Sequence, residues 1–177
     1  MLMPENTDAL LSLAEIAAAF AGFAALVSVI GRKRKLRGEA AHDLLRLRLL
    51  ISTSVVGVAS ALVPVGLAGY GMAEEVVWRV SSLIFLVLSY AVITGFLNAY
   101  KPVRGAFPPD RLAVAVVTSI EVLEQGSLGV VLLGLPFGNP GALYVTALIG
   151  NICQAGFIFV RFIGSAFRHE GQDERPR

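Results

Sequence analysis

The sequence predicts an all-α integral membrane protein, a compact bundle of five transmembrane helices with the N-terminus outside and the C-terminus cytoplasmic, forming a single transmembrane domain over residues 1–177. Three observations carry this. Hydrophobic residues make up 55% of the 177 positions and charged ones only 16%, with a mean hydropathy of +0.71, far from the usage of a soluble domain. The apolar residues fall into five blocks, each close to the roughly 20 residues a helix needs to cross about 30 Å of hydrocarbon. The basic residues gather in alternate connections, which sets the orientation.

The first span, 9–30, has neither a basic segment before it nor a small-residue cleavage site, so it reads as a retained helix inserted N-terminus out. The second, 49–69, follows the amphipathic run GEAAHDLLRLRLL, which places the start of its helix near Glu39, with Arg46 and Arg48 at the membrane interface. Pro64, with Gly57, Gly66 and Gly69, either kinks this helix near its end or unwinds it where Ser52, Thr53 and Ser54 line the inner half. The third, fourth and fifth spans are 76–99, 112–135 and 142–162. Gly and Pro punctuate the connections AGYGMAEE, YKPVRGAFPPDR and LPFGNPG, and connections this short make neighbouring helices antiparallel.

Of the fifteen basic residues, all but Arg79 fall on one side when the N-terminus is outside. Arg32, Lys33, Arg34, Lys35 and Arg37 follow the first span, where they serve as a topology signal or as a contact for anionic lipid headgroups. This topology places the chain in a bilayer, with a bacterial inner membrane as the expected location. The net charge of +2 gives no reason to expect nucleic acid. The single cysteine, Cys153, rules out an intramolecular disulfide and a cysteine metal cluster. His42 and His169 both sit at the cytoplasmic edge, so neither a haem, a histidine metal site nor any other cofactor is expected. No nucleotide loop, nucleophile elbow or zinc-protease motif occurs, and the chain does not read as an enzyme.

Shifting the second and third spans by 72 residues onto the fourth and fifth superposes Gly57 on Gly129, Pro64 on Pro136, Gly66 on Gly138 and Phe85 on Phe157. The pattern fits a weak duplication of hairpin 49–99 in 112–162, or two outer turns that each need helix breakers. Small residues Ala14, Ala18, Gly22 and Ala25 form a stripe for close helix packing. Trp78, Tyr70, Tyr144 and Tyr100 near span ends read as an aromatic belt.

The candidate functional groups are the polar residues inside the spans. A charge at the bilayer centre costs about 3 kcal/mol on the insertion scale, so such groups are usually buried, paired, protonated or water-lined. Glu121 and Glu124 bracket the midplane of the fourth span, and spacings of three and four place Thr118 and Gln125 on their face. Asn151, Gln154 and Arg161 form an answering stripe on the fifth. Buried carboxylates can relay protons, and carboxylate, amide and hydroxyl oxygens together can replace the water around a cation. The competing reading is a clamp in which Arg161 reaches Glu121 while Glu124 bonds Asn151 or Gln154. Glu15, in the outer part of the first span, is either a pore-mouth carboxylate or the ion-pair partner of Arg79.

These residues point to a small membrane channel or transporter for protons or cations, working through a midplane carboxylate and amide site. Five helices enclose a wide pore only with difficulty, so a homo-oligomer is expected. The alternative is a non-enzymatic assembly or scaffold subunit whose buried polar groups fix helix packing and partner binding.

Overall fold

The computed structural model describes residues 6–30, 37–105, 108 and 110–173. Among them the regular elements are five α-helices: α1 (Thr7–Ile30), α2 (Arg37–Gly69), α3 (Glu74–Tyr100), α4 (Arg111–Leu133) and α5 (Pro140–Asp173). All five are long and apolar enough to cross a membrane. The second helix begins two residues before Glu39, and the fifth runs well past Phe162, because no proline follows until Pro176. Arg32, Lys33, Arg34 and Lys35 lie outside the described residues, as does the side chain of Arg37.

Local chemistry sets the helix ends. Asp110 caps α4 by accepting a hydrogen bond from the Leu112 amide at 3.0 Å. At the other end of α4, Gly134 is left-handed (φ 64°) and the Leu135 amide reaches the Val130 carbonyl at 3.1 Å, a Schellman turn. The Arg79 guanidinium packs against Gly134 where a side chain would project, so glycine is required there for space as well as for φ. Asn139 caps α5 through a bond from the Ala142 amide at 3.1 Å, with Pro140 in the first turn where its missing N–H costs nothing.

The helices pack as a ring, α1 on α2, α2 on α3, α3 on α4, α4 on α5 and α5 on α1, and α2 also meets α5 across the middle. One end carries Arg46, Arg48, Lys101, Arg104, Arg111 and Arg161 and is called the basic end here; the opposite end carries Asp8, Glu74 and Glu75. A core of Leu10, Ala17, Trp78, Phe85, Leu128 and Tyr144, with their neighbours, fills the acidic half. A smaller one, Ala24, Leu50, Ala155 and Ile158, lies toward the basic end.

The buried face of α1 is Leu10, Ala14, Ala17 and Ala24, not the stripe Ala14, Ala18, Gly22 and Ala25, whose last three members are exposed. Steps of four advance the face by about 40° each in a helix of 3.6 residues per turn, so a run of such steps drifts off the contact line, whereas mixed threes and fours stay on it. Trp78 and Tyr144 are likewise core residues and not a lipid-facing belt: their rings lie 5.5 Å apart, and Phe85 meets Tyr144 at 5.9 Å.

Pro64 neither breaks nor unwinds α2, which is continuous to Gly69. A proline leaves the carbonyl four residues earlier without its helical donor. That carbonyl belongs to Ser60, and it accepts the Tyr144 hydroxyl at 2.6 Å. The counterpart of Pro64 at the 72-residue shift, Pro136, lies in the loop between α4 and α5.

Candidate functional site

Glu124 is the focus of the polar residues. It projects from the middle of α4, about 20 Å along the helix from Arg111 at 1.5 Å per residue, and is only 1% exposed. The Ser89 hydroxyl on α3 donates to its Oε1 at 2.7 Å. The Asn151 side chain also acts on this carboxyl as a hydrogen-bond donor, while the buried Oε2 has no partner at ordinary hydrogen-bond distance among the described residues. Around it lies a cavity of about 20 Å³ whose polar walls are Thr53 from α2, Ser89 from α3, Glu121 and Glu124 from α4, and Asn151 and Gln154 from α5. That space suits about one water molecule or one ion stripped of its hydration shell.

Asn151 and Gln154 are buried, and the Asn151 Oδ1 is a second acceptor with no partner among the described residues. Its position depends on Gly57. A Cβ at residue 57 would sit 2.9 Å from the Asn151 Oδ1 and 3.2 Å from the Ala17 Cβ, so the glycine lets α1, α2 and the amide come together. Glu121 is half-buried and accepts the Gln125 side-chain amide at 2.7 Å. Ser89 and Asn151 thus act on the Glu124 carboxyl and Gln125 on Glu121, while Glu124 Oε2 and Asn151 Oδ1 are buried acceptors without a close donor among the described residues. Acceptors of that kind suit a guest that brings positive charge or a proton.

The structure brings Glu121, Glu124, Asn151 and Gln154 together around one pocket, with Gln125 held against Glu121. Arg161 and Glu15 do not join them. Arg161 pairs with Asp110 at 2.6 Å, not with Glu121, and lies over the Phe157 ring at 5.7 Å. The reason is positional: Asp110 precedes the first turn of α4 at the basic end, level with Arg161, whereas Glu121 is deeper by about three turns. The Arg161 hydrogen bond, reinforced by the Leu112 amide, holds the Asp110 carboxyl below its usual range. Arg79 pairs with Glu75 at 2.6 Å, not with Glu15, because α1 packs on α2 and α5 while α3 lies beyond α2. Glu15 is exposed on the outer face of α1. Thr118 is exposed and Cys153 faces outward, away from the pocket. Among the described residues no basic side chain lines the pocket, so its two carboxylates have no arginine or lysine counter-charge from them there.

The pocket residue Ser89, and the role of Gly57 in seating Asn151, went unread in the sequence. Ser89 sits in SSLIFLVLSY, where Ser82 and Ser89 share a face at a spacing of seven and both are buried; that repeat was the available signal. Gly57 was legible only as a helix breaker, since its close neighbours come from α1 and α5. Comparison of the chain with protein-family models, with curated proteins and with solved structures gave no match.

Proposed function

We propose that the protein is a small, non-enzymatic membrane channel or transporter that conducts protons or cations through the midplane pocket. Glu124 is the proton-accepting or ion-coordinating group, Glu121 the second carboxylate, and Asn151, Gln154 and Gln125 supply neutral oxygens. One observation carries this reading: a fully buried carboxylate with one oxygen short of a close donor, no basic side chain among the described pocket walls and a cavity of one-ion size beside it. A carboxylate kept only for packing would be expected to have both oxygens bonded, because an unsatisfied charge in low dielectric is costly. In this reading the basic end is cytoplasmic and the N-terminus outside, as the distribution of Lys and Arg requires, and a bacterial inner membrane is the setting. A homo-oligomer belongs to this reading, since five helices enclose a wide pore only with difficulty.

The test is flux in liposomes holding the purified chain. Glu124→Gln is expected to lower proton or monovalent-cation flux by at least about tenfold, as loss of an intramembrane ionisable group in a pathway does. Flux unchanged in both Glu124→Gln and Glu121→Gln would defeat the proposal.

A second reading, a membrane assembly subunit, is favoured by Glu15. This carboxylate is exposed on α1 beside exposed Ile16, a placement that favours a neighbouring chain covering that face. Stoichiometric co-purification with another membrane protein, lost on changing Glu15 while flux is absent throughout, would support it.

A further inference from the structure

The pocket is not equally accessible from the two ends. On the acidic side, each of three pocket residues is backed one helical turn away by an apolar residue with 0% exposure: Ser89 by Phe85, Glu124 by Leu128, and Asn151 by Leu148. Behind these sit Tyr144 and Trp78, also fully buried, with Tyr144 tied to the Ser60 carbonyl. A cavity of about 240 Å³ at the acidic end, beside Glu75, Arg79 and Gly134, has no wall residue in common with the polar pocket.

The basic side is different. A cavity of about 220 Å³ lies between α2 and α3, with Leu45, Leu49, Val56, Val92 and Phe96 among its walls. Another, about 290 Å³, opens where Arg46, Asp110 and Arg161 surround Leu49, Phe96 and Phe157. Leu49 is the residue common to both of these and to the polar pocket, and Val56 and Val92 are shared by the pocket and the α2–α3 cavity. Leu49 is only partly buried, in contrast to the fully buried layer on the acidic side. A single layer of apolar side chains around Leu49, which can change rotamer, is a thin barrier, whereas the fully buried layer of Phe85, Leu128 and Leu148 from three helices, backed by Tyr144 and Trp78, is a thick one.

We propose that the polar pocket is loaded from the basic end of the bundle, past Leu49, while Phe85, Leu128, Leu148 and Tyr144 close it toward the acidic end. This deepens the transport reading and rests on it for its purpose; the route itself is testable without measuring flux. A pathway with one thin and one thick barrier around a central site is that of a carrier caught open toward one side. The particle passing Leu49 into about 20 Å³ arrives without its hydration shell, which restricts it to a proton or a small cation.

Access is read with a single thiol on the pocket wall. Ser89→Cys in a Cys153→Ala background leaves both carboxylates in place, and Thr53→Cys in the same background reads the same pocket from α2 should the first variant fold poorly. Silver ion, a small thiol-reactive cation that displaces the thiol proton, is added to one face of sealed vesicles of known orientation holding the full chain. Modification is followed by mass spectrometry. Modification from the basic face is expected to be at least about tenfold faster than from the acidic face, with Leu49→Ala raising that rate about tenfold and Leu49→Phe lowering it. Equal or faster modification from the acidic face, or a rate indifferent to Leu49, including no reaction in any variant, overturns the route. A chain showing this sidedness without conducting ions would sink the transport reading and leave the route standing; conduction lost in Glu124→Gln without the sidedness would do the reverse.

Discussion

Tyr144 on α5 supplies the hydrogen bond that Pro64 withholds within α2, its hydroxyl reaching the carbonyl of Ser60, four residues before the proline, at 2.6 Å. The two residues are therefore energetically linked although they lie on different helices. Tyr144→Phe should cost about 1–3 kcal/mol, the usual penalty for a buried acceptor left unpaired. In a Pro64→Ala background the helix regains its own N–H donor, so the same change should cost much less. Unfolding of the four variants in detergent or bicelles measures the coupling, and strict additivity would refute it.

Gly57 is where α2 makes room for Asn151. A methyl group there meets the Asn151 Oδ1 at 2.9 Å and the Ala17 Cβ at 3.2 Å, so Gly57→Ala must tilt the amide and push α1 outward. The expected loss is about 1–3 kcal/mol, as for other overpacked sites. Asn151→Ala introduced on top should recover part of it, which no simple helix-propensity effect of Gly57→Ala would predict.

The Asp110 and Arg161 pair gives a pH signature. The Arg161 hydrogen bond depresses the Asp110 pKa in the folded chain, so its stabilisation is fully present above the unfolded value, about 4, and is lost as pH falls through the lower folded value. Asp110→Asn keeps an N-cap oxygen but removes the charge. The gap in melting temperature between wild type and Asp110→Asn should be flat from pH 7 to about 5 and shrink on further acidification. High salt should also narrow it, because the pair is solvent-exposed. A gap that widens toward acid would contradict the assignment.

Glu15 should be silent in flux. It faces outward from α1 and lines none of the cavities around Glu124. Glu15→Gln is expected to leave ion flux at the wild-type level and to alter, if anything, the mass of the solubilised assembly measured by native mass spectrometry. A flux loss comparable to that of Glu124→Gln would return Glu15 to the pathway.

How much of this was legible follows the range of the interactions. The five helices could be read because length and hydropathy are local properties, and Glu121, Glu124, Asn151 and Gln154 because a carboxylate or amide stands out in an apolar helix at recognisable spacing. The ion pairs weighed for Arg79 with Glu15 and for Arg161 with Glu121 did not form for one reason: a sequence carries depth along a helix but not which helices adjoin. Glu75, one turn away on the same helix, and Asp110, at the mouth of the neighbouring one, were nearer than the deeper carboxylates. Tyr144 looked like an interfacial residue because its reach to a carbonyl on α2 leaves no mark in its own segment. Ser89 was overlooked since a lone serine is cheap in a membrane helix and becomes informative only opposite Glu124.

The size of the pocket also sets the arithmetic of any passage through it. About 20 Å³ beside Glu124 admits one particle, so a second must wait until the first has left. Conduction by mutual displacement along a file of adjacent ions needs several neighbouring sites and has no room here. On the transport reading, turnover therefore saturates as concentration rises, and each cycle moves a single particle.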